Sequence, residues 1–158
     1  MTGRESRQAT EAVMSDKGRI LVVEDDEFVC NSLKWLLVDE GYEVEVTTDG
    51  REALKMLEGE EYDLVITDLM MPEVDGLEVL KQVRARSADT SVIVLTGYGT
   101  VEAAVSALEQ GAFDFLTKPC DDLEMKFKIL NALEMKRLKT RIRALEAEVE
   151  SLKEKKQG

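Results

Sequence analysis

The feature that most restricts the fold is an alternation. Five short apolar runs rich in β-branched residues are each followed by a stretch with helical spacing. The runs are Arg19–Glu24 (RILVVE), Glu43–Thr47 (EVEVT), Asp63–Thr67 (DLVIT), Ser91–Leu95 (SVIVL) and Phe113–Leu116 (FDFL). The first, third and fourth lack polar alternation, which marks strands buried on both faces. Helical spacing begins with Asp26–Glu40, where Val29, Leu33, Leu36 and Leu37 share a face, Asp26 sits as a cap and Gly41 stops the pattern. Further helices are predicted over Arg51–Leu57, Leu77–Arg84 and Thr100–Gln110, with a last one from about Asp121 toward the end. Between the third strand and its helix, Leu69–Gly76 holds Pro72 and an Asp-Gly pair, both turn signals.

Strict alternation predicts an α/β fold, a parallel sheet with helices on both faces. Right-handed crossovers leave few topologies. The expected one is a flavodoxin-like, doubly wound five-stranded sheet of order 2-1-3-4-5, with its crevice at the carboxyl ends of strands 1 and 3. Residues 1–17 read as a disordered polar leader without the apolar core of a secretory signal, and Met14 is an alternative start. The globular unit is expected over 18–132 and a helical extension over 133–158. No apolar run approaches the ~20 residues that span a bilayer, so no membrane association and a cytoplasmic location are expected.

Composition removes several chemistries. There is no histidine, which excludes Ser-His-Asp triads and His general bases. Two cysteines, Cys30 and Cys120, cannot close a zinc site and are not expected to pair in a reducing compartment. The net charge is −12, although Glu134 to Gly158 carries eight basic and five acidic side chains; the remainder therefore carries −15. That remainder is not expected to contact nucleic acid, and it suits a divalent cation.

Glu24 and Asp25 end strand 1, and Asp68 follows strand 3, so the three carboxylates should meet at the switch point. At ~5 Å and an effective dielectric of about 20, each pair repels by roughly 3 kcal/mol. A cation or protonation must relieve this. Hard oxygen donors with open coordination suit Mg²⁺ (or Mn²⁺). An aspartate beside such a metal can attack phosphorus and form an acyl phosphate. Lys118 after strand 5 adds a positive charge, and Thr96 after strand 4 adds a hydroxyl. Each residue alone would be an ordinary cap, strand or surface side chain; their joint placement on four strand ends is the signal.

The motifs ILVVEDDE, VITDLMMPEVDG, VIVLTGYGT and GAFDFLTKP resemble the receiver domain of two-component response regulators, over about Gly18–Ala132. The spacings fit as well, with 43 residues from Asp25 to Asp68, 28 from Asp68 to Thr96 and 50 from Asp68 to Lys118. The resemblance implies a phosphoacceptor switch that catalyses only its own phosphorylation and dephosphorylation. Asp68 would be the phosphoacceptor. Asp25 would bind the metal directly, Glu24 through water, and Met70 through its carbonyl. Thr96 and Lys118 would hold phosphoryl oxygens, and Phe115 would be the switching aromatic. Lys118-Pro119 would be cis. The donor would be a sensor histidine kinase or a phosphotransfer protein. Within the family, TGYGTVEAAVSALEQGAFDFLTKP is most similar to nitrogen-regulator-like receivers, which commonly precede an ATPase that activates sigma-54 polymerase. Phosphorylation would reshape the strand 4 to helix 5 surface and the dimer state, and control transcription through an effector domain beyond Gly158. The alternative is a stand-alone receiver acting by protein contact.

The last segment carries apolar residues at Met135, Leu138, Ile142, Leu145, Val149 and Leu152, in steps of 3 and 4. This is a heptad with Met135, Ile142 and Val149 at a and Leu138, Leu145 and Leu152 at d. β-branched a residues with Leu at d favour a parallel homodimer, and Arg141 and Glu148 at g would face Glu146 and Lys153 at e of the partner. The competing reading packs this helix on its own domain or on a following one.

Two rivals fare worse. A Mg²⁺-dependent aspartyl phosphatase needs Asp-x-Asp after a strand, but Asp68 precedes Leu69 and Met70. A flavodoxin-type cofactor binder needs a phosphate-cradling loop that is missing. In receivers, the residues two after the aspartate and two after the threonine tune phosphoryl lifetime; here they are Met70 and Tyr98, neither suited to align water. Self-dephosphorylation should therefore be slow. Following the phosphoprotein by mass spectrometry after donor removal checks this, and a half-life of only seconds would refute it.

Overall fold

The computed structural model describes residues 17–97 and 101–157. Residues 1–16 of the expected leader, and Tyr98, lie outside the described residues. The elements are β1 (Arg19–Val23), α1 (Glu27–Asp39), β2 (Glu43–Thr47), α2 (Gly50–Gly59), β3 (Leu64–Asp68), α3 (Gly76–Arg86), β4 (Ser91–Thr96), α4 (Val101–Glu109), β5 (Asp114–Thr117) and α5 (Asp122–Gln157). The sheet has the order β2-β1-β3-β4-β5, and every adjacent pair is parallel. This is the flavodoxin-like arrangement expected from the alternation.

Successive strand residues point to opposite faces, so each central strand feeds two cores. Ile20, Val22, Ile66 and Leu95 join Cys30, Leu33 and Leu37 of α1 and Met125, Ile129, Ala132 and Leu133 of α5. Leu21, Val23, Val65 and Val94 join Ala53 and Leu57 of α2, Val79, Leu80 and Val83 of α3, and Ala107 of α4. Burial on both faces accounts for the unbroken apolar runs in β1, β3 and β4.

Helix starts are set by aspartates. Asp26, Asp49, Asp75 and Asp121 accept from the amides of Val29, Arg51, Glu78 and Glu124, each satisfying a donor that has no partner inside its helix. Asp49 moves the start of α2 to Gly50, one residue ahead of the predicted Arg51, and the helix runs on to Gly59. The fifth strand is Asp114–Thr117 rather than Phe113–Leu116, because its ladder on β4 pairs Ile93 with Asp114 and Thr96 with Thr117. The third strand is likewise shifted to Leu64–Asp68, which places Asp68 inside the ladder beside Leu95.

The last helix is continuous for 36 residues, across the expected boundary at 132/133. Its first part is buried on the sheet. Farther along, it is held by polar contacts at the amino ends of the strands. Ser91 Oγ donates to the Ala132 carbonyl at 2.9 Å, Lys136 pairs with Asp63 at 2.7 Å, and Arg143 with Asp89 at 3.1 Å. From residue 141 to 157 every described residue is exposed.

Gly76 opens α3 where the chain passes closest to the end of β3. A Cβ there would lie 2.3 Å from the Asp68 carbonyl oxygen and 2.8 Å from the Leu69 Cα. Both are backbone atoms held by the ladder, so neither can give way. Gly76→Ala should cost about 1–3 kcal/mol by overpacking, read as a lower midpoint in urea unfolding; unchanged stability would contradict the close approach.

Candidate functional site

The carboxyl ends of β1, β3, β4 and β5 open at one edge of the sheet, and the chain leaves β1 and β5 toward one face and β3 and β4 toward the other. Glu24 follows β1 and is fully buried, Asp25 is exposed, and Asp68 ends β3 with 3% exposure. One carboxylate oxygen from each of the three lies within 4.8 Å of the others. Lys118, just past β5, reaches across: its Nζ donates to Glu24 Oε1 at 2.9 Å and to Asp68 Oδ2 at 2.7 Å. The other Asp68 oxygen accepts from the Met70 amide at 3.2 Å.

Burial dominates the electrostatics. It pushes Glu24 up to about 8, with the hydrogen bond to Asp68 acting in the same direction against Lys118. Burial also raises Asp25, reinforced by the charge of Asp68. Asp68 moves the other way: burial opposes its charge, but its neighbours Glu24 and Lys118, the latter bonded to it, outweigh that and hold it below the ordinary carboxylate range. Lys118 is raised, its two carboxylate partners overcoming desolvation. The two acids are thus pushed apart, Glu24 toward its neutral form and Asp68 toward its charged form.

The residues present fit a hard divalent cation. Glu24 Oε2 is buried without a hydrogen-bond partner, and three carboxylates converge on one point. Glu24, Asp25 and Asp68 are the side chains that would hold it.

Thr96 ends β4 in the ladder beside Thr117; it is buried, and its Oγ1 donates to the Leu116 carbonyl at 3.4 Å. The Lys118-Pro119 bond is cis, as the resemblance implied. Phe115, one residue before the buried Leu116, is half-buried against the α2–α4 core. The structure brings Glu24, Asp25, Asp68, Met70, Thr96 and Lys118 to one end of the sheet. The heptad residues Met135, Leu138, Ile142, Leu145, Val149 and Leu152 lie elsewhere, exposed along α5. Lys128 is a residue that sequence reasoning passed over. Its Nζ lies 5.0 Å from the Phe115 ring centroid and donates to the Phe115 carbonyl at 2.6 Å. It also pairs with Asp114 at 3.4 Å and Glu124 at 3.2 Å. Only the Glu124 pair, four residues away on the same helix, was visible as spacing.

The response regulator receiver domain model matches residues 20–130. Among curated relatives, the alginate biosynthesis transcriptional regulatory protein AlgB of Pseudomonas syringae pv. tomato is 34% identical over 144 residues, covering 91% of this chain and 32% of the relative. The regulatory protein AtoC of Escherichia coli K12 is 38% identical over 132 residues, covering 84% and 29%. The chain thus spans about a third of the length of these curated relatives. Among solved structures, a response regulator receiver domain protein from Clostridium thermocellum superposes with a TM-score of 0.72 at 34% identity, covering 76% of this chain and 97% of that one. NtrX from Brucella abortus gives 0.77 at 31% identity, covering 81% and 30%. Among the described residues no helix is long and apolar enough to cross a membrane. The chain, with its acidic crevice and bridging lysine, belongs to the response-regulator receiver family, signalling modules of two-component systems, and within it resembles the nitrogen-regulator-like transcriptional regulators.

Proposed function

We propose that this chain accepts a phosphoryl group on Asp68 from a phosphohistidine of a sensor kinase or phosphotransfer protein, and that the phosphorylated form changes the β4–α5 surface. The observation that carries this reading is Lys118 held between Glu24 and Asp68 at the ends of β1, β3 and β5. An Asp68 carboxylate oxygen forms the new O–P bond while the P–N bond of the donor breaks, the imidazole nitrogen keeping the electron pair. Lys118 neutralises phosphoryl oxygens, and Asp25, Asp68 and the Met70 carbonyl, with Glu24 through water, would hold Mg²⁺ or Mn²⁺. A cation bound there supplies charge neutralisation to the group in flight. The Thr96 hydroxyl gives up its contact with the Leu116 carbonyl to reach the phosphoryl group, and Phe115 turns into the space it leaves. The change is a shift between two populations.

The partner surface is α5. Side chains that hold this helix to the receiver, Met125, Ile129, Lys136 and Arg143, lie on one face, and the heptad residues lie on another and stay exposed. That leaves the heptad seam open to a second copy while the receiver stays docked. Because the chain spans about a third of its curated relatives, we place its output in transcription control through a domain attached beyond this helix. A receiver acting alone by protein contact is the second reading.

Incubation with acetyl phosphate and Mg²⁺ should add one phosphoryl group to the intact mass, and Asp68→Asn or chelation of the metal should abolish it; addition to the Asn variant would refute the assignment. Leu138→Asp with Leu145→Asp should convert the dimer to protomer in sedimentation equilibrium, because two charges enter the seam. A wild-type chain that sediments as the protomer with and without beryllofluoride would refute the dimer.

A further inference from the structure

The switch proposed above needs something that sets how readily Phe115 leaves its resting position. We infer that Lys128 is that positioning residue: its ammonium holds the Phe115 ring in the unphosphorylated arrangement and ties the ring to α5.

Four contacts converge on one side chain. The Lys128 Nζ lies over the Phe115 ring, 5.0 Å from its centroid. It donates to the carbonyl of the same residue at 2.6 Å. It is aligned by Asp114 at 3.4 Å, the residue before Phe115, and by Glu124 at 3.2 Å, one turn back on α5. Its side chain is only 21% exposed, so the cation is partly desolvated and its attraction to the ring is stronger than at an open surface. Backbone and ring of Phe115 are therefore gripped by one amine that belongs to the output helix. The carbonyl bond holds the strand and does not change when the ring rotates. The ring contact does change, because a ring turned toward the Thr96 side no longer lies under the ammonium. The contact is present in one state and lost in the other, and only such a differential contact can set a two-state equilibrium. A ring under a cation on α5 also gives α5 a direct register of the state of the aromatic, without passing through the sheet.

This inference rests on the proposed switch, and the experiment separates the two. The full chain is labelled with 4-fluorophenylalanine; its four phenylalanines give resonances assigned by single substitution. Beryllofluoride with Mg²⁺ serves as the phosphoryl mimic. In the wild type the Phe115 resonance should move on titration, and Thr96→Ala should suppress that movement. If the wild-type resonance does not move, the switch reading itself fails. Given that it moves, Lys128→Met, which keeps the alkyl chain and removes the charge, should lower the beryllofluoride midpoint by about three- to tenfold. It should also shift the mimic-free Phe115 resonance toward the bound position. Lys128→Arg restores a cation over the ring and should bring both values back toward wild type. Glu124→Gln removes an ion pair and leaves the ring contact, so its resonance should stay at the wild-type position. A Lys128→Met midpoint within about twofold of wild type with an unmoved resonance overturns the inference, as does a Lys128→Arg variant that behaves like Lys128→Met.

Discussion

Everything at the carboxyl edge of this sheet follows from the repulsion among three carboxylates and the single ammonium set against it. Glu24, Asp25 and Asp68 bring oxygens within 4.8 Å of one another, and Lys118 bonds two of them. At such separations each like-charge pair costs about 3 kcal/mol at an effective dielectric of about 20, a large share of a domain's net stability. The site lowers that cost unevenly: burial pushes Glu24 toward its neutral form, while Lys118 holds Asp68 toward its charged form. A crevice arranged this way sets one charged carboxylate beside an ammonium and two further oxygen donors around a point that fits a hard cation.

The supporting structure serves that edge. Strands β1 and β3 are buried on both faces by two separate cores, so their ends are fixed from either side. Gly76 lets the β3–α3 loop fold back to within contact of the Asp68 carbonyl. The Met70 amide then caps one Asp68 oxygen, leaving the other to Lys118. The Met70 amide and the Lys118 ammonium thus set the orientation of the acidic group, at the end of a strand held by both cores.

Most of this was legible in the residues themselves. Apolar runs mark strands through burial, and strand ends in a parallel sheet mark the crevice, so Glu24, Asp25, Asp68, Thr96 and Lys118 were readable from position and chemistry together. The strand boundaries were not. Phe113 and Leu116 are both apolar, and only the ladder that pairs Ile93 with Asp114 fixes the fifth strand one residue later. The start of α2 was misplaced because Asp49 caps through its side chain, a local bond that periodicity does not register. The Lys128–Phe115 contact was invisible for a different reason. Thirteen residues and the turn around Pro119 separate the two, and their meeting depends on how α5 settles on the sheet. The anchoring of α5 by Asp63 and Asp89 was hidden in the same way, since both lie far in sequence from the Lys136 and Arg143 they meet.

The length of α5 gives that anchoring a mechanical meaning. Among the described residues its last polar tie to the receiver is at Arg143, and the helix continues, exposed, to Gln157. At about 1.5 Å per residue that free part is a rod of roughly 20 Å. Tilting the rod by about 10° at its fulcrum carries the far end about 4 Å sideways, most of one helical pitch. A shift of about 2 Å at Lys136, roughly 10 Å before that fulcrum, therefore reaches the far end about twofold enlarged, as on a lever, with displacement gained in proportion to length and no rearrangement needed along the way.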